Sequence, residues 1–148
     1  MDCRSALESA DGDIDQAKLI LREKGVATAV KRAGKDTSQG LIESYIHGGR
    51  IGALIELNCE TDFVARTDVF KELAHDLAMQ IASMNAIAVS SKDLPDNAND
   101  EPNEDALLDQ KFIKDASKTV QDVINDTIAS TGEKIEIRRF SRYQLGSE

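Results

Sequence analysis

Residues 50–66 read Arg50-Ile51-Gly52-Ala53-Leu54-Ile55-Glu56-Leu57-Asn58-Cys59-Glu60-Thr61-Asp62-Phe63-Val64-Ala65-Arg66. As far as Cys59 the apolar residues recur at period two. Ile51, Ala53, Ile55, Leu57 and Cys59 share one face, and Gly52, Leu54, Glu56 and Asn58 share the other. That alternation specifies a strand with one face turned to a core. Glu60-Thr61-Asp62-Phe63-Val64 then breaks the pattern by setting an acid directly before a large aromatic, and a helix is expected at once afterwards. A strand end and a helix start, each anchored by apolar residues, hold a short rigid tip at the surface. Function concentrates on connections of that kind.

Working outward, residues 41–46 form a partner strand, and His47-Gly48-Gly49-Arg50 is the turn between the two. Adjacent glycines accept the positive φ values that tight hairpins require. Over 67–84, Phe70, Leu73, Ala74, Leu77, Ala78, Ile81 and Ala82 recur at helical spacing, while Lys71, Glu72, Asp76 and Gln80 turn away and Thr67 or Asp68 supplies the cap. A further helix over 119–131 points Val120, Val123, Ile124, Thr127 and Ile128 inward. Thr119 and Asp122 stand at capping-box spacing there, and Gly132 is the stop. The final strand, 134–145, places Ile135, Ile137, Tyr143 and Leu145 on one face. Arg138, Phe140 and Arg142 lie on the other, a candidate surface for pairing or partner contact. The order β-β-α-loop-α-β predicts an α+β fold: a three-stranded antiparallel sheet with helices packed on one side.

Ahead of this core, 2–10 and 14–24 read as two short helices joined by Asp11-Gly12-Asp13, with Gly25 ending the second. Cys3, Ala6, Leu7 and Ala10 line the first, and Ile14, Ala17, Ile20 and Leu21 are the inward set of the second. Residues 26–40, small, basic and polar, read as a linker. The expected division is therefore a helical segment (1–25), the linker, and a core (41–148). Inside the core lies an acidic loop over 91–110, whose residues 93–110 carry seven acids and no base. Its first part is expected to be a loop and 104–109 a helical turn; 86–89 reads as a short extended piece.

The chain has 148 residues, 41% hydrophobic and 30% charged, enough for one ordinary core. A net charge of -9 argues against general affinity for a nucleic-acid backbone, which needs a cationic surface. No apolar run approaches the ~18 residues that suggest a membrane span. The two cysteines, Cys3 and Cys59, lack metal-ligand spacing, and a reducing compartment is the default expectation. Cys59 reads as a small core residue, Glu56 and Glu60 as solvated carboxylates, and His47 as exposed in its turn. Gly48-Gly49 lacks the ending and the following helix of a phosphate loop. No nucleophile, base or metal set clusters, so the residues point to neither an enzyme nor a cofactor. His75, beside the apolar stripe of its helix, reads as a rim residue or a partner contact. Asp62-Phe63 also admits two placements: the ring tucked into the core with Asp62 capping the next helix, or the ring displayed.

Asn58-Cys59-Glu60-Thr61-Asp62-Phe63-Val64-Ala65-Arg66, preceded by Gly49-Arg50-Ile51-Gly52, resembles the signature of the elongation factor Ts family. Met1-Asp2-Cys3-Arg4-Ser5-Ala6-Leu7 and Gly12-Asp13-Ile14 are similar to the family's N-terminal module. Phe112-Ile113-Lys114-Asp115, Ser117-Lys118-Thr119-Val120, Gly132-Glu133 and Arg138-Arg139-Phe140 are similar to its far end. The resemblance implies a guanine-nucleotide exchange factor that promotes GDP release from the GTPase elongation factor Tu, without covalent chemistry. It implies Phe63 as a wedge near the partner's magnesium and phosphates, Asp62 assisting, and Thr61 and Val64 shaping the tip; His75, from its place beside the apolar stripe, is the further partner-binding candidate. It also implies a ubiquitin-associated-like three-helix module, which the two N-terminal helices leave incomplete, so the chain is expected to begin inside that module. Short forms of the family often carry charged helices after the Asp-x-Pro segment, whereas Asp93-Leu94-Pro95 here leads only into the acidic loop. Room for one core subdomain implies a homodimer that supplies the second half. The expected location is cytoplasmic, or alternatively a mitochondrial matrix or plastid stroma. The competing reading is a degenerate, non-exchanging module that binds a GTPase or other protein.

Overall fold

The computed structural model describes residues 2–95 and 102–147. In chain order its elements are α1 (Asp2–Ser9), α2 (Ile14–Lys31), β1 (Gln39–His47), β2 (Ile51–Cys59), α3 (Asp62–Ala65), α4 (Asp68–Ser83), β3 (Lys111–Phe112), β4 (Asp115–Thr119), α5 (Val120–Thr131) and β5 (Ile135–Gln144), with 3-10 turns at Ser91–Asp93 and Leu107–Asp109. The fold is α+β. Strand β2 is the centre of a three-stranded antiparallel sheet of order β1-β2-β5, and β3 and β4 form a separate small hairpin. The inward face of β2, Ala53, Ile55, Leu57 and Cys59, packs with Phe70, Leu77 and Ile81 of α4 and Val120, Ile124 and Ile128 of α5 in one buried cluster. Residues Gly48 and Gly49 both take positive φ, and Arg50 N–H closes the turn on the His47 carbonyl at 3.1 Å. Thr67 caps α4 through the Phe70 N–H, and both arms of the Thr119–Asp122 capping box are formed.

Three expectations are corrected. The first concerns β5. Glu56 pairs with Arg139 and the next residue, Leu57, with Ile137, so Arg138 is an extra residue that shifts the register. A bulge of this kind turns every later side chain to the opposite face. Ile135 and Ile137 face the core as expected, but beyond the bulge it is Phe140 that packs against the core and Arg142 that donates to the Ala82 carbonyl. Tyr143 and Leu145 are exposed. Arg138, Phe140 and Arg142 therefore form no common outer surface.

The second concerns α4. Asp76 and Gln80 do not face solvent, because residues 110–114 cover that side of the helix. Gln80 is fully buried, and its amide donates to Gln110 Oε1 and the Lys111 carbonyl and accepts from the Ile113 N–H. Asp76 pairs with Lys114 at 3.2 Å. The expected helical turn near 104–109 is the 3-10 turn at Leu107–Asp109, whose Leu107 is buried. The extended piece at 86–89 supplies a single bridge, Ala88 to Ala106. The loop expected after Asp93 falls partly on 96–101, outside the described residues.

The third concerns Gly25. Helix α2 does not end there but runs on to Lys31, taking in part of the stretch expected as a linker. Gly25 is buried against α5, and a Cβ at this position would lie 2.8 Å from the Asn125 carbonyl oxygen. It is thus a contact residue that lets two helices approach, not a stop. Among the described residues of this segment only Ala6 of α1 and Ala17 and Gly25 of α2 are buried, and Ile14, expected inward, is exposed.

Two effects oppose each other in Gly25→Ala. In an open helix the change gains ~1 kcal/mol of propensity. Here the added methyl meets backbone that cannot swing aside, and overpacking of that kind costs about 1–3 kcal/mol. The expected result is a lower thermal midpoint for Gly25→Ala by differential scanning calorimetry; a raised midpoint would show that α2 does not dock closely on α5.

Candidate functional site

The turn between β2 and α3 is fixed from beneath and displayed above. Val64 and Ala65 are each only 5% exposed and belong to the core cluster, whereas Phe63 between them and Asp62 is 77% exposed. One turn of helix puts these neighbours on opposite sides, so the anchors go in and the ring goes out. Thr61, not Asp62, caps the turn: its hydroxyl oxygen accepts from the Val64 N–H at 3.3 Å. Asp62 instead pairs with Arg66 at 3.1 Å, with both side chains well exposed. An exposed pair of that type is worth about 0–1 kcal/mol, so an incoming group displaces it at little cost.

Two glutamates hold this turn against the α5–β5 turn. Glu133 Oε1 accepts from the N–H groups of Glu60 (3.2 Å) and Thr61 (3.0 Å), and its Oε2 accepts from the Thr61 hydroxyl (2.7 Å). In return Glu60 Oε2 accepts from the Lys134 N–H (2.6 Å). Glu60 also takes a bidentate ion pair from Arg32, the C-cap residue of α2, with Nε at 2.8 Å and the terminal nitrogen at 2.5 Å. Glu60 is therefore not the solvated carboxylate expected of it: its side chain is 12% exposed. The Arg32 hydrogen bonds, aided by the Lys134 N–H, hold its carboxyl down at about 2. Beneath the turn the Cys59 thiol donates to the Thr61 carbonyl at 3.1 Å, and burial pushes its pKa up to about 11. Such a thiol is a packed residue, not a nucleophile.

Thr61, Asp62, Phe63 and Val64 are thus brought together, with Val64 as the buried anchor. His75 is not at this turn. It lies eight residues past the Thr67 cap, roughly 12 Å along the helix axis at the usual rise, edge-on to the Tyr45 ring at 5.9 Å. Tyr45 in turn contacts His47 through a 3.1 Å hydrogen bond. Among the described residues no group of three metal-ligating side chains converges, and no helix is long and apolar enough to cross a membrane.

Residues 8–105 match the family described as Elongation factor TS. The elongation factor Ts of Moorella thermoacetica is 46% identical to this chain over 99% of it and 87% of that relative. For Thermotoga neapolitana the values are 45%, 100% and 90%, and for Coprothermobacter proteolyticus 43%, 99% and 90%. The chain belongs to the elongation factor Ts family. The Moorella alignment spans 177 positions against the 148 residues present here, so that family member carries residues with no counterpart in this chain.

Within this fold, the clamp residues Arg32 and Glu133 carry no local sequence signal. Thr61 and Glu133 are 72 positions apart, and Arg32 and Glu60 are 28. Only the pairing of β2 with β5, which sets Cys59 opposite Ile135, brings the two turns side by side.

A carboxyl held below its ordinary value of 4.5 stabilises the fold fully above that pH, and the contribution is lost as pH falls toward about 2. The wild type is therefore expected to exceed Glu60→Gln in thermal midpoint by a constant margin above pH ~5, and the margin to shrink between there and pH 2. A margin independent of pH across that window would exclude the Arg32–Glu60 pair as its source.

Proposed function

We propose that this chain is a guanine-nucleotide exchange factor of translation elongation, which promotes GDP release from elongation factor Tu. The observation that carries this reading is Phe63: a phenyl ring 77% exposed at the crest of a turn held by the clamped Thr61 and the buried Val64 and Ala65. An exposed aromatic on a fixed scaffold is a probe for another protein's crevice, because it adds nothing to its own core. Family membership supplies the partner. The ring enters beside the partner's Mg²⁺ and phosphates, with Asp62 exchanging its loose Arg66 pair for contacts on the GTPase. Mg²⁺ requires near-octahedral ligands at ~2.0–2.1 Å, so a small backbone displacement forfeits coordination and loosens GDP. The exchange factor binds the nucleotide-free state more tightly than the loaded one. By linkage, rebinding of nucleotide weakens its grip by the same factor. His75, far from the tip on α4, would serve as a separate contact.

We also propose that two copies pair through the outer face of the sheet. Ile42, Ile46, Leu54, Tyr143 and Leu145 are exposed, and the register sets Ile46, Gly52 and Tyr143 side by side across the three strands. An exposed set of large apolar residues on one face supports association through it, and the β5 bulge puts that face opposite the helices.

Phe63→Ala removes a side chain that holds nothing in place, so stability should change by less than ~0.5 kcal/mol. The rate of fluorescent GDP release from elongation factor Tu at saturating exchange factor should fall at least tenfold, on the order of what one lost anchor residue costs. An unchanged release rate removes the wedge, and a wild-type chain that binds without accelerating release establishes the non-exchanging module. Leu54→Lys, at the centre of the outer face, should convert a sedimenting dimer to a monomer; a wild type that is monomeric at tens of micromolar excludes the pairing.

A further inference from the structure

We propose that Glu133 is a positioning residue for nucleotide release: its carboxylate holds the Glu60–Thr61 backbone in the conformation that displays Phe63. The inference rests on the exchange reading above and extends it to a residue outside the tip. The Glu60 and Thr61 amides sit between the last residue of β2 and the first of α3. Neither the sheet ladder nor the helix supplies them with a partner. Glu133 accepts from both, and from the Thr61 hydroxyl as well. A carboxylate accepts only, so the hydroxyl spends its proton on Glu133 and its lone pair faces the Val64 N–H that it caps. The chain of contacts runs from Glu133 to Thr61, from Thr61 to the single turn of α3, and so to Phe63. A helix of one turn does not sustain itself, so its orientation depends on what holds its first residue.

Glu133 is delivered from the far end of α5. Gly132 takes φ 74, a left-handed conformation that ends the helix, and its N–H returns to the Ile128 carbonyl at 2.7 Å. The next residue is thereby turned across toward β2. Glu133 touches the tip's backbone and cap and not the exposed ring, which gives it a kinetic signature distinct from that of Phe63. If only a fraction of tips is correctly set, the half-saturating concentration of exchange factor rises by the inverse of that fraction, while the saturating rate is unchanged. Loss of the ring lowers the saturating rate itself.

The test is a titration of fluorescent GDP release from elongation factor Tu with the full chain, comparing wild type, Glu133→Ala, Glu133→Gln and Phe63→Ala. Glu133→Ala should raise the half-saturating concentration about tenfold, corresponding to a tip correctly set about a tenth of the time, with the saturating rate within twofold of wild type. Glu133→Gln keeps an oxygen for both amides and should recover most of the loss. Amide hydrogen exchange should quicken at Glu60 and Thr61 in Glu133→Ala and stay slow in β2 and α4. A folded Glu133→Ala with the wild-type half-saturating concentration overturns the proposal, as does a lowered saturating rate at unchanged half-saturation. Loss of the cooperative thermal transition overturns it too, since Glu133 would then hold up the fold and not the tip. Phe63→Ala separates the two levels: if it leaves the saturating rate intact the exchange reading fails, and amide exchange still reports whether Glu133 sets the turn.

Discussion

An exposed phenyl ring contributes nothing to the fold that carries it, so whatever fixes Phe63 must come from its neighbours. That constraint organises the rest of the molecule. Val64 and Ala65 bury what Phe63 does not. Thr61 closes the turn, and Glu60 and Glu133 lock it against the start of β5. Each glutamate grips the opposite turn, so neither can drift without stretching bonds on both sides. Hydrogen bonds to a charged acceptor are worth roughly 1.5–3 kcal/mol each. That is enough for a few of them to outweigh the conformational entropy of a short turn at ~1–2 kcal/mol per residue.

The N-terminal helices enter this arrangement by two routes. Gly25 allows α2 to settle on α5, the helix whose far end delivers Glu133. Arg32, at the close of α2, reaches Glu60 directly, and Lys134 donates to the Ala33 carbonyl just beyond it at 2.8 Å. An element that looks like an appendage therefore bears on the tip through backbone packing and through an ion pair. Because the pair is only partly exposed, it is screened by salt less than the Asp62–Arg66 pair beside the ring. The network thus divides into a firm part that sets the turn and a loose, exposed part beside the ring.

The alternation through β2 and the spacing along α4 and α5 made the sheet centre and the two helices of the core legible, because burial writes a periodic signal into sequence. The tip was legible as a break in that signal. What escaped reading was non-periodic or non-local. Arg138 is an ordinary residue whose insertion in the ladder depends on the strand opposite, so strict alternation puts the second half of β5 on the wrong face. Gly25 offers the same lack of a side chain to a helix end and to a close helix contact, and only the position of Asn125 distinguishes them. Gln80 occurs at a polar position of an amphipathic helix, yet it is buried because a loop thirty residues later needs its amide. Glu133 and Arg32 follow the same rule: each is a charged side chain whose use is decided by a partner far along the chain.

Displacing another protein's backbone demands more than contact. A ring on a compliant loop would yield to the crevice it enters, and the binding energy would go into reshaping the loop. A ring on a braced turn returns that energy as strain in the partner, and differential affinity for two partner states arises only if one of them relieves the strain. The same stiffness limits affinity for the loaded state, since a pre-set tip cannot adapt to it. Rigidity of the turn and selectivity for the nucleotide-free state are in this view a single property. The rigidity is carried by two glutamates and a threonine, whose side chains bond to each other's turns and leave the ring exposed.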